Sequence, residues 1–107
     1  MANFKRIGLQ RKRADLSHEQ FVAHWVNVHA ALARHLPKLR RYSINVVDRA
    51  RHPDFPYDGF SELWFDSRAD CEAAFASPQG VAVLADLRNY VDGVEPLFLE
   101  EHQIVWP

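Results

Sequence analysis

The spacing of apolar residues along this chain switches back and forth between a period of two and a period near 3.6, and that order of switches limits the possible folds more than any motif does. Ile7 and Leu9 alternate with polar neighbours, which predicts a first strand over residues 3–12 that leaves through Arg11-Lys12-Arg13. Ser17-His18-Glu19-Gln20 has the capping-box pattern and predicts a helix start near 17, with Leu16 placed to staple onto Phe21. Phe21, Trp25, Val28, Leu32 and Leu36 fall on one helical stripe, and Pro37 ends it. Tyr42, Ile44 and Val46 then alternate with Arg41, Ser43 and Asn45 as a second strand, and a loop from Asp48 to Asp58 follows. Gly59 to Asp66 predicts a third strand with large groups on both faces. Ser67 caps a second helix carrying Cys71, Ala74 and Phe75. Ser77-Pro78-Gln79-Gly80 interrupts it, as a kink or as a break into two helices, before Val83, Leu84, Leu87 and Val91. Pro96 to Trp106 supplies the fourth strand.

This βαββαβ order predicts an α+β, ferredoxin-like fold: a four-stranded antiparallel sheet with two helices on one face. A length of 107 residues suits a single domain over 1–107. The other face of the sheet is left bare, and the apolar groups on both sides of the third strand predict that it is buried in a homodimer with two sheets facing one another.

Several partners are excluded as expectations. Through Pro53 the chain holds 11 Lys and Arg against 3 Asp and Glu, and afterwards 2 against 11, a polarity that folding interleaves. No nucleic-acid partner is expected, because that would require the arginines to share one face free of carboxylates. No stretch approaches the roughly 20 apolar residues of a membrane span, and no secretory signal opens the chain, so a cytoplasmic protein is expected. Cys71 is the lone cysteine and reads as a small buried hydrophobe. Gly8, Gly59, Gly80 and Gly93 are isolated, which rules against a phosphate loop and a nucleotide cofactor.

The candidate chemistry centres on the first helix. His29 follows Trp25 by four positions and so faces the sheet, where burial would keep the imidazole neutral and suited to act as a general base. The alternative is a core histidine bonded to backbone. His24 lies on the helix flank, five residues from His29, a spacing that does not align the two for a shared metal, so no metal is expected. The pair His18-Glu19 lacks the second histidine of a zinc-protease motif, because Val22 stands there. Tyr42 and Asn45 on the second strand and Glu62 on the third are the groups available to hold a substrate oxygen. Tyr42 and Asn45 reach one pocket only if the strand is bulged, and Glu62 has an alternative as the partner of Arg6 or Arg41. Trp25, Trp64 and Phe65 are expected as aromatic lining, with His52 and Tyr57 on the long loop as a lid or as surface. His102 is placed to orient a partner or to line the dimer contact.

Ser17-His18-Glu19-Gln20-Phe21, His24-Trp25, His29-Ala30 and Leu36-Pro37-Lys38-Leu39-Arg40-Arg41-Tyr42 occur with Asn45, Tyr57-Asp58-Gly59-Phe60-Ser61-Glu62-Leu63-Trp64-Phe65-Asp66 and Glu100-Glu101-His102. Together these blocks resemble the EthD family of the dimeric α/β barrel superfamily. The resemblance implies the dimeric barrel and a pocket histidine, at His29, that moves protons. The expected function is a cofactor-independent enzyme of the isomerase or lyase kind, acting by isomerisation, cyclisation, dehydration or decarboxylation on a small, largely apolar carbonyl or lactone compound. The alternatives are a non-catalytic small-molecule or haem binder with His29 as axial ligand, or a cofactor-free monooxygenase. Fold alone does not choose among them.

Overall fold

The computed structural model describes residues 3–107. Its strands are β1 (Phe4–Lys12), β2 (Arg41–Val46), β3 (Gly59–Phe65) and β4 (Val91–Glu100). Between β1 and β2 runs one helical rod, with α1 (His18–Ala23) and α2 (Ala30–Ala33) flanking a π-helical segment (His24–His29). Between β3 and β4 stand α3 (Arg68–Ala76), α4 (Pro78–Asp86) and a 3₁₀ turn (Leu87–Asn89). The described strands form one sheet in the order β2-β3-β1-β4, every neighbouring pair antiparallel, which is the expected ferredoxin-like α+β fold.

Residues directly opposite across a sheet share a face, so the register sorts the side chains. Gly8 faces Ser61, which faces Ile44; Arg6 faces Leu63, which faces Tyr42. These point toward the helices. Ile7, Glu62 and Ser43 form the matching row on the bare side, with Leu9, Phe60 and Asn45 beside them. The core therefore lies between sheet and helices, with Leu63, Phe65, Cys71, Ala74 and Val83 in one cluster and Phe21, Trp25, Tyr90 and Val91 in another. Trp25 reaches the sheet at Gly59, where an added Cβ would come within 2.7 Å of its indole and collide with the Asn45 carbonyl oxygen.

The capping box forms as expected: the Gln20 amide donates to Ser17 Oγ at 3.1 Å, and the Ser17 amide donates to Gln20 Oε1 at 2.8 Å. The buried stripe of the rod differs from the expected one. Val28 and Leu32 are exposed, and Phe21, Trp25, His29 and Ala33 are buried, each four residues after the last. In a regular α-helix a spacing of four drifts by about 40° per step. The π segment closes wider rings, shown by the Ala30 amide donating to the Trp25 carbonyl, and this offsets the drift.

The interrupted second helix is two helices. Ser77 ends α3 and caps α4, accepting from the Gly80 amide at 3.1 Å. The fourth strand also differs: it starts at Val91, earlier than expected, and stops at Glu100, while Ile104 and Val105 lie outside it and exposed. Its length is set by β1, which it pairs from Lys12↔Val91 to Phe4↔Glu100. Pro96 is tolerated because β4 is an edge strand.

Candidate functional site

Asp86 is the last residue of α4 and is 7% exposed, a carboxylate taken out of water. Three donors meet it: His29 Nδ1 at 2.9 Å, His24 Nε2 at 3.0 Å and Asn89 Nδ2 at 2.9 Å. Burial alone would raise its pKa, but the bonds from Asn89, His29 and His24 outweigh that and hold it below the usual carboxylate range. The π segment makes this convergence possible, since it brings residues 24 and 29 onto one side of the rod. The expectation that a spacing of five keeps these histidines apart is therefore corrected. Tyr90 packs against both imidazoles, 4.8 Å from the His24 ring and 5.0 Å from the His29 ring.

His29 is 4% exposed, and burial pushes its pKa below the ordinary histidine value against the opposing pull of Asp86. A carboxylate only accepts, so the neutral imidazole carries its proton on Nδ1 and leaves the Nε2 lone pair free. No partner for Nε2 occurs among the described residues. His29 lines a cavity of about 20 Å³ with Arg6, Gly8, Gln10, Tyr42, Ser61 and Phe75 among its walls, room for roughly a single water. Gln10 Oε1 and the Tyr42 hydroxyl are buried there without a hydrogen-bond partner among the described residues. Burial pushes the Tyr42 phenol up to about 12, so it stays a donor. Arg6, Phe75 and Leu84 also line an outer groove of about 310 Å³ with Cys71, Glu72 and Phe98, and thus form the partition between cavity and surface. A porphyrin does not fit beside His29 without parting the rod from the sheet, and no group of three or more His, Cys, Asp or Glu suited to a metal ion occurs among the described residues.

The EthD domain model matches residues 13–93. The chain belongs to the EthD family. It is 31% identical over 87 residues to an uncharacterized 11.0 kDa protein of the thcB-thcC intergenic region of Rhodococcus erythropolis, a match covering 79% of this chain and 84% of that one. Among solved structures, an EthD family protein of Bacillus halodurans superposes with a TM-score of 0.81 at 22% identity, covering 95% of this chain and all of the other. SnoaB, a cofactor-independent oxygenase of Streptomyces nogalater, superposes at 0.71 with 12% identity over 98% of each chain. A protein of Thermobifida fusca described as dimeric and ferredoxin-like superposes at 0.74 with 16% identity, over 94% of this chain and 92% of its own.

In this EthD protein the predicted site residues divide between two faces of the sheet. His29, Tyr42 and the flanking His24 lie on the helix side, with Trp25 and Phe65 fully buried in the core beside them. Asn45 and Glu62 lie on the bare side: Glu62 accepts from Lys5 Nζ at 2.9 Å, Ser43 Oγ at 3.1 Å and Asn45 Nδ2 at 2.9 Å. They do not reach the His29 cavity, because β2 has no bulge between residues 42 and 45. The partner of Glu62 is thus Lys5 and neither Arg6 nor Arg41. Trp64 belongs to the bare side too, its indole donating to Glu101 with Lys5 and Arg41 over the ring. His52 is exposed on the loop near Val47, Phe55 and Phe60, away from the cavity. His102 is exposed, 4.0 Å from Glu100. Sequence reasoning missed Asp86, Arg6 and Gln10. Asp86 carried a signal, since Gly80, Val83 and Asp86 recur every three residues and put a carboxylate on an apolar stripe.

Proposed function

We propose that this protein is a cofactor-independent cytoplasmic enzyme that moves a proton on a small, largely apolar carbonyl or lactone compound, working as a homodimer through the bare sheet face. One observation carries the reading: a buried imidazole, fixed by Asp86 through Nδ1, lines a cavity that also holds unpaired polar groups. His29 Nε2 takes the proton from the carbon next to the carbonyl, and the electron pair moves onto the oxygen as an enolate. The Tyr42 O–H donates to that oxygen. Returning the proton to a different carbon completes an isomerisation; attack on a second carbonyl gives cyclisation; loss of a neighbouring hydroxyl gives dehydration. The dimer is supported by the dimeric solved protein of the same fold.

The test is solvent deuterium exchange into β-tetralone and α-angelica lactone, followed by proton NMR. The wild type should exchange both faster than buffer, and His29→Asn should fall back toward the buffer rate. Equal rates in the two proteins would remove His29 from the mechanism. A second reading, a cofactor-free monooxygenase, draws on the fold shared with SnoaB. The same base would deprotonate a quinol, and oxygen uptake with dihydroxynaphthalene distinguishes it from proton transfer alone.

A further inference from the structure

Arg6 stands on β1 at the partition between the inner cavity and the outer groove. Its guanidinium stacks on the Phe75 ring at 4.4 Å, and its N–H groups have no acceptor among the described residues. Glu72 lines the groove but is engaged by Arg68 at 3.1 Å. A half-buried guanidinium without a carboxylate is uncommon, because a cation removed from water needs compensation. Arg6 lies close enough to His29 for its charge to disfavour the imidazolium. Across the same space Gln10, 3% exposed, presents an unpartnered Oε1, which accepts a hydrogen bond and gives none. Apolar walls from Leu63, Phe75, Leu84 and Val94 surround these groups.

We propose that the pocket selects an organic anion: a small apolar molecule whose carboxylate or enolate oxygens are held by Arg6, with a hydroxyl on the same molecule accepted by Gln10. This rests on the His29 cavity being the substrate site. It narrows the class to keto or hydroxy acids and their enolates. A planar fork matches two oxygens at once, and partial burial strengthens the pair relative to water.

Benzoate and the neutral benzamide, alike in shape, separate charge from fit. Titrated against the full-length protein by NMR, benzoate should bind about tenfold tighter or better, as a charge-assisted hydrogen bond predicts. Arg6→Met, which keeps the packing length on Phe75, should erase the preference, and Arg6→Lys should leave an intermediate one. Equal affinity for the two probes in the wild type overturns the proposal, whether or not Arg6→Met folds. So does a preference that survives in Arg6→Met, or saturable binding of neither probe. Preference for benzoate together with exchange that ignores His29→Asn would keep the anion pocket and discard proton transfer. Exchange that needs His29, with no charge preference, would do the reverse.

Discussion

Asp86 decides which nitrogen of His29 is available, and this makes it the most informative single substitution. In Asp86→Asn the amide can donate to Nδ1, which turns the ring to the other tautomer and puts a proton on Nε2. Deuterium exchange should fall by about 100-fold or more, within the range that a positioned base supplies, while imidazole nitrogen shifts report the change of tautomer. The pH dependence follows from the same groups. Because burial lowers the folded pKa of His29, exchange should lose its base on acidification at a pH below the ordinary histidine value of 6.5. Stability has the same sign: the unfolded imidazole takes its proton first, so the contribution is full above about 6.5 and is lost as pH falls from there through the lower folded value. Asp86, also lowered, adds a further loss below its ordinary 3.8. Denaturant midpoints across pH 4–8 should show a shallower acid decline in His29→Asn than in the wild type. His29 and Tyr42 were legible because they sit at positions whose period can be counted. Arg6 and Gln10 were not, since a strand reading treats alternate polar residues as the solvent side, and here the polar side of β1 is the one under the helices.

At the scale of elements, the π segment is what lets His24 and His29 share one carboxylate. Deleting the exposed Asn27 should restore ordinary winding with α2 in place, and it puts the two histidines four residues apart, the spacing that an α-helix carries on one face. The expected result is a folded protein with a normal circular dichroism spectrum in which exchange survives, because both imidazoles still reach Asp86; loss of exchange in a folded variant would mean that the π winding itself sets the ring positions. Loss of the whole fold would mean that the segment is required for packing. The capping box at Ser17 and the break at Ser77-Pro78 were readable because they are local chemistry. The π winding was not, since stripe-counting assumes 3.6 residues per turn. Nor was the extent of β4, which pairing with β1 decides and its own residues do not.

For the whole molecule, the bare face carries Ile7, Leu9, Phe60, Trp64, Leu97 and Leu99 around the cluster of Lys5 with Glu62 at 2.9 Å and Glu101 at 3.5 Å. The ions are paired within one chain, so covering them strands no charge. Leu97→Asp should place an unpaired carboxylate in the proposed contact and yield a folded monomer at micromolar concentration by light scattering, where a dimer is expected of the wild type. Asn45 and Glu62 belong to this face and not to the His29 cavity, although their polarity among apolar neighbours marked them as site residues.

The cavity beside His29 has a kinetic consequence. With space for one water at rest, the proposed substrate site requires the partition of Arg6, Phe75 and Leu84 to part before a substrate passes. Opening then precedes association, so the observed rate of complex formation levels off at the opening rate as ligand concentration rises. Apparent affinity should scale with the open fraction. In return, the closed partition would shut the proposed enolate away from bulk solvent.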